Sequence, residues 1–325
     1  MAFYFAFRDV LIRRIIIKHH NKKNFVTSQN FGFGGDFMKQ YILSSFISKF
    51  GGGNKAAVVF DDIGLNEKDM KAIARYNNFS ETAFISIKES CYPDFKIRYF
   101  TPEEEVDICG HAALASFFIL YKLGYLEKEE AYHLTKAGKL KAIKREDIFY
   151  IQMKEPEIVG FADAGDIEKI TTLKEQDIIT DINGKISIVS TGLKDAIIEV
   201  GSMQALKDMS IKKEEMIAFC RSKNIVGAHV VSRETIEKDS DFSCRNFAPA
   251  VGIDEESATG TSNASLIYYI KTMAKEKIEK TSFKIEQGYF MDSPSNIFVY
   301  ADEKTKTEIY VGGRAQILES QELSC

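Results

Sequence analysis

Apolar residues fall in short runs along most of this chain. Lys39 to Ile47, Ala56 to Phe60, Thr82 to Ile87, Phe95 to Phe100, Phe149 to Met153, Ile186 to Ser190 and Ala196 to Val200 are rich in β-branched and aromatic residues. Such segments read as strands, because those side chains pack well on a pleated, half-buried surface. Asn66 to Tyr76 instead spaces its apolar residues among charges at a helical period and predicts a surface helix. Two longer stretches, Ala112 to Leu123 and Ser262 to Ala274, are apolar nearly all round. Helices of that kind are buried, so the pattern predicts an α+β chain with strands wrapped around two core helices.

The two core helices are preceded by the same motif. Asp94-Phe95-Lys96-Ile97-Arg98-Tyr99-Phe100-Thr101-Pro102 and Asp241-Phe242-Ser243-Cys244-Arg245-Asn246-Phe247-Ala248-Pro249 both fit D-F-x-x-R-x-F-x-P. After a short acidic stretch each reaches a glycine that opens the helical run, Gly110-His111-Ala112 in one copy and Gly260-Thr261-Ser262 in the other. The copies lie about 150 residues apart. That spacing matches the two domains expected of 325 residues and marks a duplicated domain.

Composition narrows the function. With 45% hydrophobic and 28% charged residues the chain is not globally disordered, and a formal net charge of −4 argues against nucleic-acid binding by bulk electrostatics. No apolar run approaches the roughly 20 residues of a membrane span. The charge is uneven. Residues 1–37 hold six basic and two acidic side chains, which leaves 37 basic and 45 acidic groups in the remainder. With one serine and no small-residue cleavage site, this head is a poor transit or secretory signal. Gly34-Gly35-Asp36-Phe37 is what a translated ribosome-binding stretch would look like, so the native chain is expected to start at Met38. Cys91, Cys109, Cys220, Cys244 and Cys325 are an odd number without a CxxC pair, and the five histidines stand at no metal-ligand spacing. No metal and no disulfide is expected, and free thiols fit a reducing cytoplasm.

A helix N-terminus presents unpaired N–H groups and the positive end of its dipole. Two such ends facing across a cleft would hold a small carboxylate, and glycine at each start lets the backbone come close. There is no Walker A loop, and Gly51-Gly52-Gly53-Asn54 is not a dinucleotide fingerprint, so no cofactor is expected. Four acid–base candidates each have a plainer alternative. Glu81 is either a proton carrier or a turn-capping acid, and His111 either a substrate donor or a helix-cap histidine. Glu256 is either functional or a solvated acid, and Cys109 either an activated thiolate or a small buried hydrophobe.

Taken in order, these motifs resemble the phenazine-biosynthesis isomerase (PhzF-like) family, which has the diaminopimelate-epimerase-like fold. The resemblance rests on Gly53-Asn54-Lys55-Ala56-Ala57-Val58, Ser80-Glu81-Thr82, Arg98-Tyr99-Phe100-Thr101-Pro102, Cys109-Gly110-His111-Ala112, Arg245-Asn246-Phe247-Ala248-Pro249, Ala258-Thr259-Gly260-Thr261 and Glu286-Gln287-Gly288. It implies two similar domains, each a mixed sheet or barrel around a central helix. Residues 38–155, joined by a C-terminal strand at about 307–325, would form the first, and 156–306 the second. It also implies a cofactor-independent isomerase with Glu81 as general acid/base and His111 and Glu256 as partners. Asn54, Gly110, Gly260 and Thr261 would bind the substrate, and the chain would be a homodimer.

Three positions depart from the family pattern. Glu256-Ser257 replaces Asp-Pro, Thr261 replaces serine, and Lys55 replaces proline and brings a charge toward the cleft; together they point to a different substrate. The alternatives are a non-catalytic carboxylate-binding protein and a two-cysteine racemase. The second is opposed by Thr259, which stands where the second thiol would be. Intact mass spectrometry of the native protein should find a chain that starts at Met38; a mass that includes residues 1–37 overturns that reading.

Overall fold

A computed structural model gives the chain a mixed α+β fold and describes residues 16–18, 37–87, 94–302 and 307–324. Most of the basic head, together with Cys91 and Cys325, lies outside the described residues. The first half contains β1 (Ile16–Lys18), β2 (Phe37–Ser45), β3 (Asn54–Phe60), α1 (Glu67–Asn77), β4 (Thr82–Ser86), β5 (Phe95–Phe100), β6 (Glu105–Val106), α2 (Gly110–Lys122), β7 (Glu130–Thr135), β8 (Gly138–Arg145) and β9 (Ile148–Gln152). It is followed by β10 (Glu157–Ala162), α3 (Ala164–Ile170), β11 (Ile178–Ile179), β12 (Ile186–Ser190), β13 (Lys194–Val200), α4 (Met203–Asp208), α5 (Lys213–Lys223), β14 (Gly227–Ser232), β15 (Phe242–Ala248), β16 (Ile253–Glu256) and α6 (Gly260–Thr272). The chain ends with β17 (Ser282–Gln287), β18 (Ser295–Ala301), β19 (Ile309–Gly313) and β20 (Ala315–Ser324).

Strand pairing repeats from one half to the other. In the first, β2–β3 is antiparallel, β3–β4 parallel, β4–β5 and β5–β6 antiparallel, β5–β7 parallel, and β7–β8 and β8–β9 antiparallel. In the second, β12 to β19 pair with the same succession of directions. The strand that follows each set then crosses over. β10 follows β9 in the chain but pairs with β12, and β20 follows β19 but pairs with β2. The antiparallel β9–β19 pair joins the two sets, and β1 lies against β20. The result is one continuous sheet of the described strands.

α2 and α6 are buried on almost every side, as their all-round apolar sequences predict, and the largest apolar cluster contains both. A second cluster, in the second half, packs α3, α4 and α5 on β12, β13 and β14, and a third packs α1 on Val59, Phe84 and Phe100. Among the described residues no helix is long and apolar enough to cross a membrane. β2 ends at Ser45 and not at Ile47, because Phe46 turns to φ 62° and sinks its ring fully into the core.

The echoed motif has one structural meaning in both places. The Arg98 guanidinium donates to both Glu105 oxygens at 2.8 and 2.7 Å, and Arg245 to both Glu255 oxygens at 2.9 and 2.8 Å. Each guanidinium also lies 4.9 Å from a ring of its own strand, Phe100 or Phe247. A planar, two-pronged cation is suited to such a pair. The pair ties β6 to β5 and β16 to β15, and each glutamate stands five residues before its helix-opening glycine.

Close packing between β14 and β15 gives a test of this arrangement. A Cβ at Gly227 would fall 2.0 Å from the Phe247 carbonyl oxygen, whereas one at Gly160 meets only the Ile188 side chain at 3.6 Å. Gly227→Ala should therefore cost about 2–3 kcal/mol or prevent folding, while Gly160→Ala should change stability by less than about 1 kcal/mol. Urea-unfolding midpoints of the two variants check this; equal midpoints would contradict the packing.

Candidate active site

The first turns of α2 and α6 meet. A Cβ built on Gly110 would lie 3.6 Å from the Gly260 Cα, and one on Gly260 3.7 Å from the Gly110 Cα. Neither capping residue, Cys109 or Thr259, closes its helix with a side-chain hydrogen bond. Two positive helix ends are thus aimed at one place. Equivalent hydroxyls fix them there: Ser45 donates to the His111 carbonyl and Thr191 to the Thr261 carbonyl, each at 2.8 Å.

Parallel pairing of β3 with β4 brings Asn54 and Glu81 to the same end of the sheet, beside the start of α2. The chain reaches Asn54 through Gly52 and Gly53, whose φ values are 74° and 88°. A side chain at either would collide, at 2.2 Å with the Pro294 oxygen or at 2.5 Å with the Ser45 oxygen. The second half grips this turn, since Ser257 and Ser293 both donate to the Gly53 carbonyl, at 3.1 and 2.9 Å.

The groups at the helix starts form a connected set. His111 Nε2 lies 3.2 Å from Glu81 Oε2, with the two side chains 5% and 17% exposed, and 3.4 Å from Ser80 Oγ. Glu81 Oε2 is buried and makes no aligned hydrogen bond. Asn54 Nδ2 lies 2.9 Å from Glu256 Oε1, 3.1 Å from the Ala258 carbonyl and 3.3 Å from His111 Nδ1. Its two protons satisfy Glu256 and Ala258, and His111 Nδ1 also lies 3.4 Å from Cys109 Sγ, a contact in which either the ring or the thiol can be the donor.

Charge follows from these contacts. Burial alone would push His111 down, but Cys109 and Glu81 oppose it and hold the imidazole above its usual range. Burial would likewise push Glu81 up, and its contacts with the His111 cation, Ser80 and Cys109 hold it below the usual carboxylate range. Glu256 is shifted the other way. Its burial dominates, aided by the Glu81 charge and opposed by His111, so this carboxyl takes a proton more readily. Two carboxyls flanking one imidazolium therefore have their proton affinities driven apart, which suits one as base and the other as acid.

The structure thus brings Glu81, His111, Glu256, Asn54, Gly110 and Gly260 together, with Thr261 buried at the second position of α6. Cys109 follows the plainer reading: it is buried, and burial together with the Glu81 charge pushes its thiol up to about 11. Lys55 does not bring its charge to the site. It is exposed on the opposite face of β3 from Asn54, because neighbouring strand residues point to opposite faces. Ligand atoms of Glu81, Cys109 and His111 lie within 4.8 Å of one another, a spacing a metal ion accepts. As arranged they are a proton-sharing set, with a protonated thiol beside an imidazole whose proton affinity is raised.

Ser80, Thr259, Asn263 and Gln287 also belong to the site and carried no role in the sequence reading. The signal for them was a polar residue in an apolar setting, Asn263 within a buried helix and Gln287 at the end of a core strand.

A family model described as phenazine biosynthesis-like protein, PhzC-PhzF, matches residues 43–321. The chain is 32% identical over 296 residues to an uncharacterised isomerase of Clostridium acetobutylicum, covering 87% of this chain and 97% of that one. It is 31% identical to the isomerase YfhB of Bacillus subtilis, covering 80% and 89%. The crystal structure of a Bacillus anthracis phenazine biosynthesis protein of the PhzF family superimposes with a TM-score of 0.76 at 25% identity, covering 88% and 98%. A hydroxyproline epimerase from Agrobacterium vitis shares the fold, with a TM-score of 0.59 at 10% identity, covering 89% and 93%. The epimerase-like fold expected from the motifs is the one present.

The opposite shifts of His111 and Glu81 give the pair a pH signature. His111, raised above 6.5, stabilises fully below that value and loses its contribution as pH rises through its folded value. Glu81, lowered below 4.5, stabilises above that value and loses its contribution as pH falls through its folded value. The stability gap between wild type and His111→Gln should be widest between about pH 4.5 and 6.5, on the order of 2 kcal/mol, and shrink on both sides. Urea midpoints across pH measure it, and a gap constant with pH contradicts the ion pair.

Proposed function

The chain belongs to the phenazine biosynthesis-like (PhzC-PhzF) family and is an isomerase, and from that premise we propose that it moves one proton within a small carboxylate-bearing substrate. The observation that carries this reading is the Glu81–His111 pair set at the start of α2, opposite Glu256 and against the start of α6. The substrate carboxylate lies at the two helix N-termini, where uncapped first turns favour negative charge. Glu81, kept ionised at neutral pH beside the His111 cation, takes a proton from carbon. The electron pair left behind delocalises toward the carboxylate, and the His111 cation and the helix ends stabilise that charge as it develops. The Glu81 carboxyl proton exchanges with solvent, and Glu81 then delivers a proton to a different carbon. One C–H bond breaks, one forms, and no electrons are gained or lost, so the cycle needs no redox cofactor.

Glu256 faces the same place from the second half and, with its raised proton affinity, can take up a proton there more readily than Glu81. Asn54 ties it to the first half, so substrate and both carboxyls are held by one set of contacts. A C–H bond is weakly acidic, and the base must be near and aimed; enclosure between the two helix starts supports that. A two-thiol racemase is disfavoured because Cys109 is held as a thiol and Thr259 occupies the matching position.

The test is solvent exchange. A library of small carboxylic acids incubated with the protein in D2O should yield at least one compound that gains one deuterium on carbon, read by mass spectrometry. Glu81→Gln should slow that gain by roughly a hundredfold or more. Exchange at the wild-type rate in Glu81→Gln removes the acid/base role. Thermal-shift binding without exchange by the wild type would favour the non-catalytic binding protein.

A further inference from the structure

Behind Glu256 lies a chain of polar groups that runs into the core of the second half. Gln287, at the end of β17, is 1% exposed, and its side-chain amide makes four hydrogen bonds around the start of α6. Its Nε2 donates to the Glu256 carbonyl at 2.7 Å and to Thr259 Oγ1 at 3.0 Å. Its Oε1 accepts from the Thr259 backbone N–H at 3.1 Å and from Asn263 Nδ2 at 2.8 Å. A carbonyl can only accept and a backbone N–H can only donate, so the orientation of this amide is determined.

That orientation has a consequence for Thr259. Its hydroxyl oxygen receives an N–H from Gln287, so its own proton must point elsewhere, and Glu256 Oε2 lies 2.6 Å away. The other Glu256 oxygen takes the Asn54 proton at 2.9 Å. We propose that Gln287 is a positioning residue for the reaction, which by holding the Thr259 hydroxyl as a donor aims a proton at Glu256 and favours the charged form of that carboxyl. This deepens the reading that Glu256 faces the reacting site and rests on it.

The charged groups facing Glu256 are His111 from α2 and Glu81 from the turn before β4. On its own strand Glu255 is committed to Arg245. Burial and the Glu81 charge raise the proton affinity of Glu256, while His111, Thr259 and Asn54 lower it. Gln287 is thus a counterweight, acting through one hydroxyl, to the desolvation of the second carboxyl. The first half has no such relay at the matching position, where Cys109 stands in place of Thr259 and Val106 in place of Glu256.

The test reads the carboxyl directly and needs no substrate. With 13C-labelled glutamate, the Glu256 signal is the one lost in Glu256→Gln, and its pH midpoint is followed by NMR. Thr259→Val keeps the shape and removes the hydroxyl, and Gln287→Leu frees the hydroxyl to rotate. Each should raise the Glu256 midpoint by about one unit, a tenfold change in proton affinity, while Thr259→Ser stays near wild type. An unmoved midpoint in Thr259→Val, or an equal rise in Thr259→Ser, overturns the relay. A rise in Thr259→Val with none in folded Gln287→Leu overturns the role of Gln287. If Gln287→Leu does not fold, the Thr259 pair decides the proposal. Because the midpoint is read without turnover, failure of the relay and failure of the Glu81 exchange reaction are separate results.

Discussion

The approach of two helix N-termini to van der Waals distance is the constraint on which the rest of this molecule depends. Gly110 and Gly260 stand where each would place a Cβ against the other's Cα. Two positive helix ends repel, and bringing them together has to be offset by burial of both helices and by groups that fix their first turns. The offset is visible in the shared apolar cluster around α2 and α6 and in the hydroxyls of Ser45 and Thr191 on the second-residue carbonyls. An anion placed at that junction relieves the repulsion. The carboxylate-binding site proposed there would thus be an electrostatic consequence of the fold.

Duplication built the junction, and divergence made it chemically useful. Counting back from the two glycines, Glu105 matches Glu255, and both neutralise the arginine of the repeated motif. The neighbours have drifted apart: Val106 against Glu256, Cys109 against Thr259, His111 against Thr261. In the proposed mechanism the first half supplies a base and a cation, and the second supplies a carboxyl with its hydroxyl and amide support. A symmetric pair of thiols would give a racemase with interchangeable bases. An asymmetric pair of carboxyls at different proton affinities gives a site with a direction.

Part of this was legible from the residues alone. An all-round apolar helix has only one place to go, so the burial of α2 and α6 followed from their side chains. Glu81 stood out as a carboxylate opening an apolar strand, and the repeated D-F-x-x-R-x-F-x-P marked the duplication. The return of the C-terminal strand to the first set was expected only from the family resemblance, because alternation tells which face a residue takes and not which strand it pairs with. Lys55 was misjudged for a related reason: proximity in sequence to Asn54 on a strand means opposite faces. Gln287 was quoted within a motif, but its role depends on which way its amide points, and only four partners in space determine that.

In the proposed mechanism an imidazolium at His111, beside Glu81 and Cys109, keeps Glu81 ionised and ready to accept a proton. 15N NMR of histidine-labelled protein at pH 7, with the ring assigned through His111→Gln, reads that state without any substrate. Both His111 ring nitrogens should give the shifts of protonated, imidazolium-type nitrogens. A His111 ring with one unprotonated nitrogen at that pH would contradict it.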